Sequence, residues 1–406
     1  MLQKLRIKLF DFITKYRKIF FVIVITFIAF AIRLQSIKNL SGDMAWDLNS
    51  WFNELKANGG LLALKNSIGN YNIPYLVIMA LLTYLPIEYF ISIKAVSIIF
   101  DYILAISVAF LVKELLKGKK NANDLAVLAY GLILILPIVF INSADWGQCD
   151  SIYATFSVIS LIFLMKEKYF KSFVFLGIAF AFKLQAVFIL PVYIFAYVKN
   201  KKFPIAYFLL IPIVNLLLCS PAIIAGRDFK EVALLYIEQA NTYKGFINLN
   251  SPSFYNLLLK TADNKMTYAP NDNLGTMMVI TTIAFFGVIA YGLLQTKEKF
   301  DKKAILSFVL LSIMICNFFL PGMHERYGYV AEVLSVVYFI VNKKDIYLPV
   351  ALNAMTLIEY SNFIYTGTAI SNSTLSIFYL IVLTIFAQST LKKYIKVEDE
   401  DEKVEK

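Results

Sequence analysis

The sequence predicts an all-α, polytopic integral membrane protein: a helical bundle of about twelve transmembrane helices. Three observations predict it. Hydrophobic residues make up 59% of the 406 and charged residues only 17%, against roughly 25% in a soluble domain. Apolar runs of about 17–25 residues, long enough to cross a bilayer, recur along the whole chain. The basic residues behind the net charge of +11 sit in short stretches between those runs, as Lys and Arg do on the cytoplasmic side of a membrane. In a water-soluble chain that charge would raise nucleic acid as a partner; in this pattern it does not.

The N-terminal segment carries Lys4, Arg6, Lys8, Lys15, Arg17 and Lys18, so it reads as cytoplasmic. The first apolar run, about 19–32, ends in Ile32-Arg33-Leu34-Gln35 without a small-residue cleavage site, so it reads as a retained anchor. Later basic clusters stand at 113–120, 166–171, 199–202, 297–303, 343–344 and 392–393. If all lie inside, the segments between them are out-and-back hairpins with outer regions at about 37–73, 142–147, 225–275, 321–327 and 362–372. The run 73–86 is short and precedes a full span near 90–112, so it is expected to be a re-entrant or interfacial helix shielded by other protein. Residues 171–199 hold two half-length apolar runs around Gln185, expected to be short helices meeting deep in the membrane. Both termini are then inside, and 392–406 is a charged cytoplasmic tail. Residues 1–406 read as one membrane-embedded domain, because neither large outer region is big enough for a domain of its own. Cys149, Cys219 and Cys316 have no metal spacing, and an odd count argues against a disulfide framework.

Four clusters carry chemistry. In the first outer region Asp43, Asp47 and Ser50 recur at i, i+4 and i+7, one face of a helix. They are a candidate carboxylate base, or the water-facing side of an interfacial helix anchored by Trp46 and Trp51. The stretch 142–151 holds Asp145, Trp146, Gln148, Asp150 and Ser151 between two long spans. Asp150 sits at or just inside the membrane, where an ionisable group is a functional candidate by default. A helix N-cap is the plainer reading, but capping needs one such residue and several are present. Lys183 and Gln185 interrupt an apolar run, and a lysine there needs an anion, whether a lipid phosphate or a structural pair with Asp145 or Asp150. Finally, His324-Glu325-Arg326-Tyr327 follows a Pro-Gly break and holds the sole histidine. Arg326 is suited to bidentate phosphate binding, and His324 to donating a hydrogen bond or moving a proton. Arg227 in the large outer region 225–275 is a candidate lipid or sugar contact, or a turn residue. No Walker loop, GxGxxG, HExxH or nucleophile elbow occurs, so an activated donor would have to reside in the membrane.

These residues match a pattern. Gly42-Asp43 with Trp51, Asn58-Gly59-Gly60, Asn70-Tyr71-Asn72-Ile73-Pro74-Tyr75, Trp146-Gly147-Gln148-Cys149-Asp150-Ser151, Phe182-Lys183-Leu184-Gln185-Ala186 and Met323-His324-Glu325-Arg326-Tyr327 occur in order between about residues 41 and 330. Together they resemble the GT-C superfamily of glycosyltransferases, which take sugars from polyprenyl-phosphate carriers. The nearest resemblance is to bacterial relatives of GPI mannosyltransferases. The resemblance implies a juxtamembrane helix in the first outer loop and a general base that maps onto Asp43. It implies a second essential acid at Asp150, and Lys183, Gln185, His324 and Arg326 around the carrier phosphate. The wording around Asp43–Asp47 departs from the family's, which leaves Asp47 without an assigned role.

The expected activity is therefore transfer of one sugar, mannose or another hexose, from a polyprenyl-phosphate carrier to an acceptor hydroxyl. The acceptor is a glycan, glycolipid or protein at the outer face of the plasma membrane, and the anomeric centre inverts. Tyr71, Trp146, Gln148, Glu325 and Tyr327 join Asp47 and Arg227 as possible substrate contacts. No cofactor and no metal are expected. A polyprenyl-diphosphate glycan ligase or polymerase, and a lipid or solute transporter, are the alternatives; transporters often carry internal repeats, and no repeat is visible here.

Overall fold

The computed structural model describes residues 2–242, 245–259, 267–268, 272–365 and 370–395. The large region 225–275 and the region 362–372 therefore lie partly, and the tail beyond 395 wholly, outside the described residues. The chain is helical almost throughout: α1 Leu2–Ser36, α2 Asn49–Ala57, α3 Ile73–Leu82, α4 Tyr89–Leu115, α5 Ala122–Ile135, α6 Pro137–Phe140, α7 Asp150–Met165, α8 Tyr169–Phe182, α9 Leu190–Asn200 and α10 Leu210–Ile224. There follow α11 Phe229–Thr242, β1 Phe246–Leu249, α12 Phe254–Leu258, β2 Thr267–Tyr268, α13 Asp272–Gln295, α14 Lys302–Phe319, β3 Met323–His324, α15 Tyr329–Asn342, α16 Tyr347–Ile364 and α17 Asn372–Tyr394.

Among the described residues, six helices are long and apolar enough to cross a membrane, or seven if the bent pair around Leu136 is one span. Five more apolar helices have 10–17 residues. Large apolar side chains on α1, α10, α13 and α17 face outward, among them Phe27, Leu217, Ile283 and Phe378. Apolar exposure on that scale has no place in water. It is the surface of a multi-pass, all-α membrane protein. The run 73–86 forms α3, only ten residues long, or roughly 15 Å, half a hydrocarbon core. Its Ile73, Tyr75, Leu76, Met79 and Ala80 are all buried in protein.

One helix break follows a proline. Pro137 cannot donate to the preceding turn and forces Leu136 to extended backbone, and the two segments meet at 50°. Pro191 is at the start of α9. Upstream of it, α8 stops at Phe182, Lys183 is extended (φ −155°, ψ 132°), and 184–189 is a 3₁₀ turn. The pair of short helices expected around Gln185 is thus present.

Charge sorts the bundle into two ends. At one, Glu114 at the close of α4 accepts from Lys302 at 2.6 Å and faces Lys166 at 3.7 Å, and Lys199 bonds the carbonyl of Thr296. At the other, Lys94 near the start of α4 reaches the carbonyls of Asn39 and, at 2.8 Å, Asp145. Lys94 and Glu114 are 20 residues apart on one helix, roughly 30 Å, the thickness of a bilayer core. The predicted inner clusters around Lys166, Lys199 and Lys302 and the predicted outer regions 37–73 and 142–147 therefore sit at opposite ends.

Candidate functional site

The second end gathers the candidate residues. Asn39 and Tyr365 both bond the Asp145 carboxylate. Arg227 donates to Ser67 at 3.1 Å. β1 pairs in parallel with β3, Asn248 opposite Met323 and Leu249 opposite His324, and the Gly322 N–H bonds the Ile247 carbonyl at 2.9 Å. At this end six segments far apart in sequence, around residues 70–72, 182–188, 236–239, 245–247, 275–279 and 320–327, line one cavity of about 710 Å³.

Lys183, Gln185, His324, Arg326, Tyr327 and Tyr71 all line this cavity. Part of the lining is apolar, from Phe182, Leu184, Val187, Phe188, Ile247 and Val279. Part of it is cationic. Lys183 pairs with Asp150 and lies 5.7 Å from the ring centres of both Tyr153 and Tyr327. Arg326 donates to Glu325 at 2.7 Å, stands 3.9 Å from Asp150, and packs 5.0 Å from the Trp146 ring centre. Its Nε is buried with no hydrogen-bond partner among the described residues, and so is Oε1 of Gln185. Both residues line the cavity, so they offer a donor and an acceptor to whatever fills it.

Asp150 is the first residue of α7 and caps nothing. It accepts from Asn142 at 2.9 Å and from Lys183, so the plain capping reading fails and the lysine–aspartate pairing holds. Burial lowers His324 below the usual histidine range; the nearby Glu325 opposes that, and Arg326 and Lys183 add to it. Burial by itself would raise Glu325, but His324 and the Arg326 charge together hold it below the ordinary carboxylate range. The tetrad is therefore a neutral imidazole beside an ionised Glu–Arg pair at pH 7.

Asp43 stands next to the cavity rather than in its wall. Its Oδ2 accepts from Trp146 Nε1 at 3.0 Å and from Gln148 Nε2 at 2.6 Å. Gln148 in turn accepts at 2.7 Å from Tyr71, whose phenol burial holds well above its usual value. Tyr71 lines the cavity, so a short hydrogen-bonded chain leads from there to Asp43. The geometry needs a sharp turn after Trp146. Gly147 supplies it at φ 87°, and a Cβ there would lie 2.1 Å from Met44 Cε. Asp43, Asp47 and Ser50 do fall in one continuous helical stretch, but it opens with a π-turn at Met44–Leu48. Asp47 is exposed, and its carboxyl is raised by partial burial and by the Asp43 charge. Trp46 is 79% exposed, whereas Trp51 packs edge-on against Tyr71 at 5.4 Å. Arg227 is not in the cavity; it bridges Ser67 and Glu231.

Sequence reasoning passed over Lys94, Arg33 and Asp101. Arg33 pairs with Asp101 at 2.8 Å and bonds the Leu134 carbonyl at 3.0 Å. Asp101 also accepts from Ser143 at 2.5 Å, which holds the 141–146 turn from below. The signal was available, since Lys94 and Asp101 interrupt the apolar run 90–112 and a charge in such a run needs a partner. No protein-family model matches the chain, and a search of curated proteins finds no match.

Proposed function

We propose that this protein is a membrane glycosyltransferase that moves one hexose from a polyprenyl-phosphate carrier to an acceptor hydroxyl, with inversion. The observation that carries the reading is one cavity lined both by apolar side chains and by Lys183, His324 and Arg326. That is the shape of a site for an amphiphile with an anionic head. The motif resemblance supplies the sugar and the carrier. The bundle has twelve spans, with both termini in the cytoplasm and the site facing outward across the plasma membrane.

The carrier's isoprenoid lies against Phe182, Leu184, Val187 and Val279, and its phosphate against Arg326, Lys183 and His324. An acceptor oxygen attacks the anomeric carbon as the bond from that carbon to the phosphate oxygen breaks. The hydroxyl proton passes to Asp43, and the phosphate leaves with the electron pair. Charge develops on the phosphate as the bond breaks, so fixed cations there lower the barrier. Asp43 suits a base because Trp146 and Gln148 fix its orientation. Asp150 keeps Lys183 and Arg326 poised without occupying the cavity, and Gln185 and Tyr327 meet the head of the donor.

The test is release of polyprenyl phosphate by the purified protein from a panel of polyprenyl-monophosphate sugars with a membrane acceptor, beside Asp43→Asn. Turnover of one donor, lost by about a thousandfold in the variant, is expected. Turnover with diphosphate donors alone would favour a ligase, and movement of an intact lipid without bond cleavage would favour a transporter; either would overturn the reading.

A further inference from the structure

A second groove, of about 320 Å³, lies between α1 and α5 at the basic end, far from the cavity above and independent of its function. Arg17, Lys18 and Phe21 of α1 form one side, and Asp124, Val127 and Leu128 of α5 the other. Lys18 pairs with Asp124 at 2.7 Å, and both side chains remain nearly half exposed. Arg17 is exposed beside them and makes no ion pair among the described residues. Gly131 one turn further along α5 lets Phe21 lie close, since a Cβ there would sit 2.8 Å from its ring. The apolar part of the groove continues along α1 past Phe20, Val24 and Phe27, all exposed. Only 11% of the apolar window of α1 is buried in protein, so lipid must cover the rest.

The chemistry selects the lipid. Lys15, Arg17 and Lys18 on α1 and Lys117, Lys119 and Lys120 before α5 outnumber the carboxylates of the same stretches, Asp11, Glu114 and Asp124. Basic pockets between spans at headgroup depth attract anionic lipids. Asp124 narrows the choice, because it repels a second carboxylate and accepts from a hydroxyl. We propose that the groove holds an anionic phospholipid whose headgroup bears hydroxyls and no carboxylate, phosphatidylglycerol being the simplest. The phosphodiester sits on Arg17 and Lys18, a headgroup hydroxyl donates to Asp124, and one acyl chain follows Phe21, Val127 and Leu128.

The test is native mass spectrometry of the full chain in detergent, mixed with equal amounts of dioleoyl phosphatidylglycerol, phosphatidylserine and phosphatidylcholine. Phosphatidylglycerol should be retained about tenfold over phosphatidylcholine and also over phosphatidylserine. Arg17→Gln/Lys18→Gln should remove the first preference, and Lys299→Gln/Lys303→Gln, at another basic loop, should keep it. Asp124→Asn should remove the preference over phosphatidylserine. A thermal melt of each variant confirms that it is folded. Equal retention of phosphatidylglycerol and phosphatidylcholine by the native chain, or unchanged preference in Arg17→Gln/Lys18→Gln, would overturn the site. Unchanged discrimination in Asp124→Asn, or displacement of the lipid by inorganic phosphate alone, would overturn the headgroup assignment.

Discussion

Asp150 pairs with Lys183 and stands 3.9 Å from Arg326, which keeps Glu325, so its removal leaves Lys183 without its carboxylate in a weakly polar interior. Breaking a buried pair by deleting one partner costs roughly 3–5 kcal/mol. Asp150→Asn should lower the thermal midpoint in detergent, and Asp150→Asn/Lys183→Met should recover part of that loss, a non-additivity that a double-mutant cycle would measure. His324 makes a second prediction. Its folded pKa lies below the unfolded value, so the unfolded state binds more protons in that interval and stability rises with pH there. The protein should therefore melt at lower temperature as pH falls below about 6.5. The depressed Glu325 gives a loss of the same sign at lower pH. His324→Gln should remove the upper part of the dependence and shrink the lower, because His324 is one of the groups that hold Glu325 down.

At the scale of the element, the turn 141–148 does the most with the fewest residues. A π-turn, a left-handed glycine and three anchors (Ser143 to Asp101, Lys94 to the Asp145 carbonyl, Ser41 to the Trp146 carbonyl at 2.6 Å) aim Trp146 and Gln148 at Asp43. Gly147→Ala would place a Cβ against Met44 and strain a positive φ, at a cost of about 1–3 kcal/mol. Under the proposed reaction it should reduce turnover more than donor affinity, because the base is displaced while Lys183 and Arg326 are not. Equal loss of both would show that the turn serves the whole cavity.

For the whole molecule, the Arg33–Asp101 pair is the main polar tie between α1 and the bundle, joining α1, α4 and α5. Arg33→Met should destabilise the chain by roughly 3–5 kcal/mol, and Arg33→Met/Asp101→Leu should cost less than the sum of the two single changes, as measured by detergent melts. Equal and additive effects would mean that packing alone holds α1.

Much of this arrangement was legible in the residues. The apolar runs announced helices, because a chain this poor in charge can satisfy its backbone in lipid only by bonding to itself. The Lys and Arg count separated the clusters around Lys166, Lys199 and Lys302 from the regions 37–73 and 142–147, which sit at opposite ends, since unpaired charge is costly in the hydrocarbon between them. Lys183, Gln185, His324 and Arg326 stood out as polar groups in apolar surroundings, and they share one cavity. Sequence did not determine which anion partners which cation. Lys183 had two candidate aspartates, and the fold gives it Asp150 while Asp145 goes to Asn39 and Tyr365. Nor did it determine that Arg227 would serve a loop contact, that β1 would seat His324, or that Arg33 and Asp101 would meet. Those pairings join residues tens to hundreds of positions apart, and only the packing of helices in three dimensions brings them within hydrogen-bond reach.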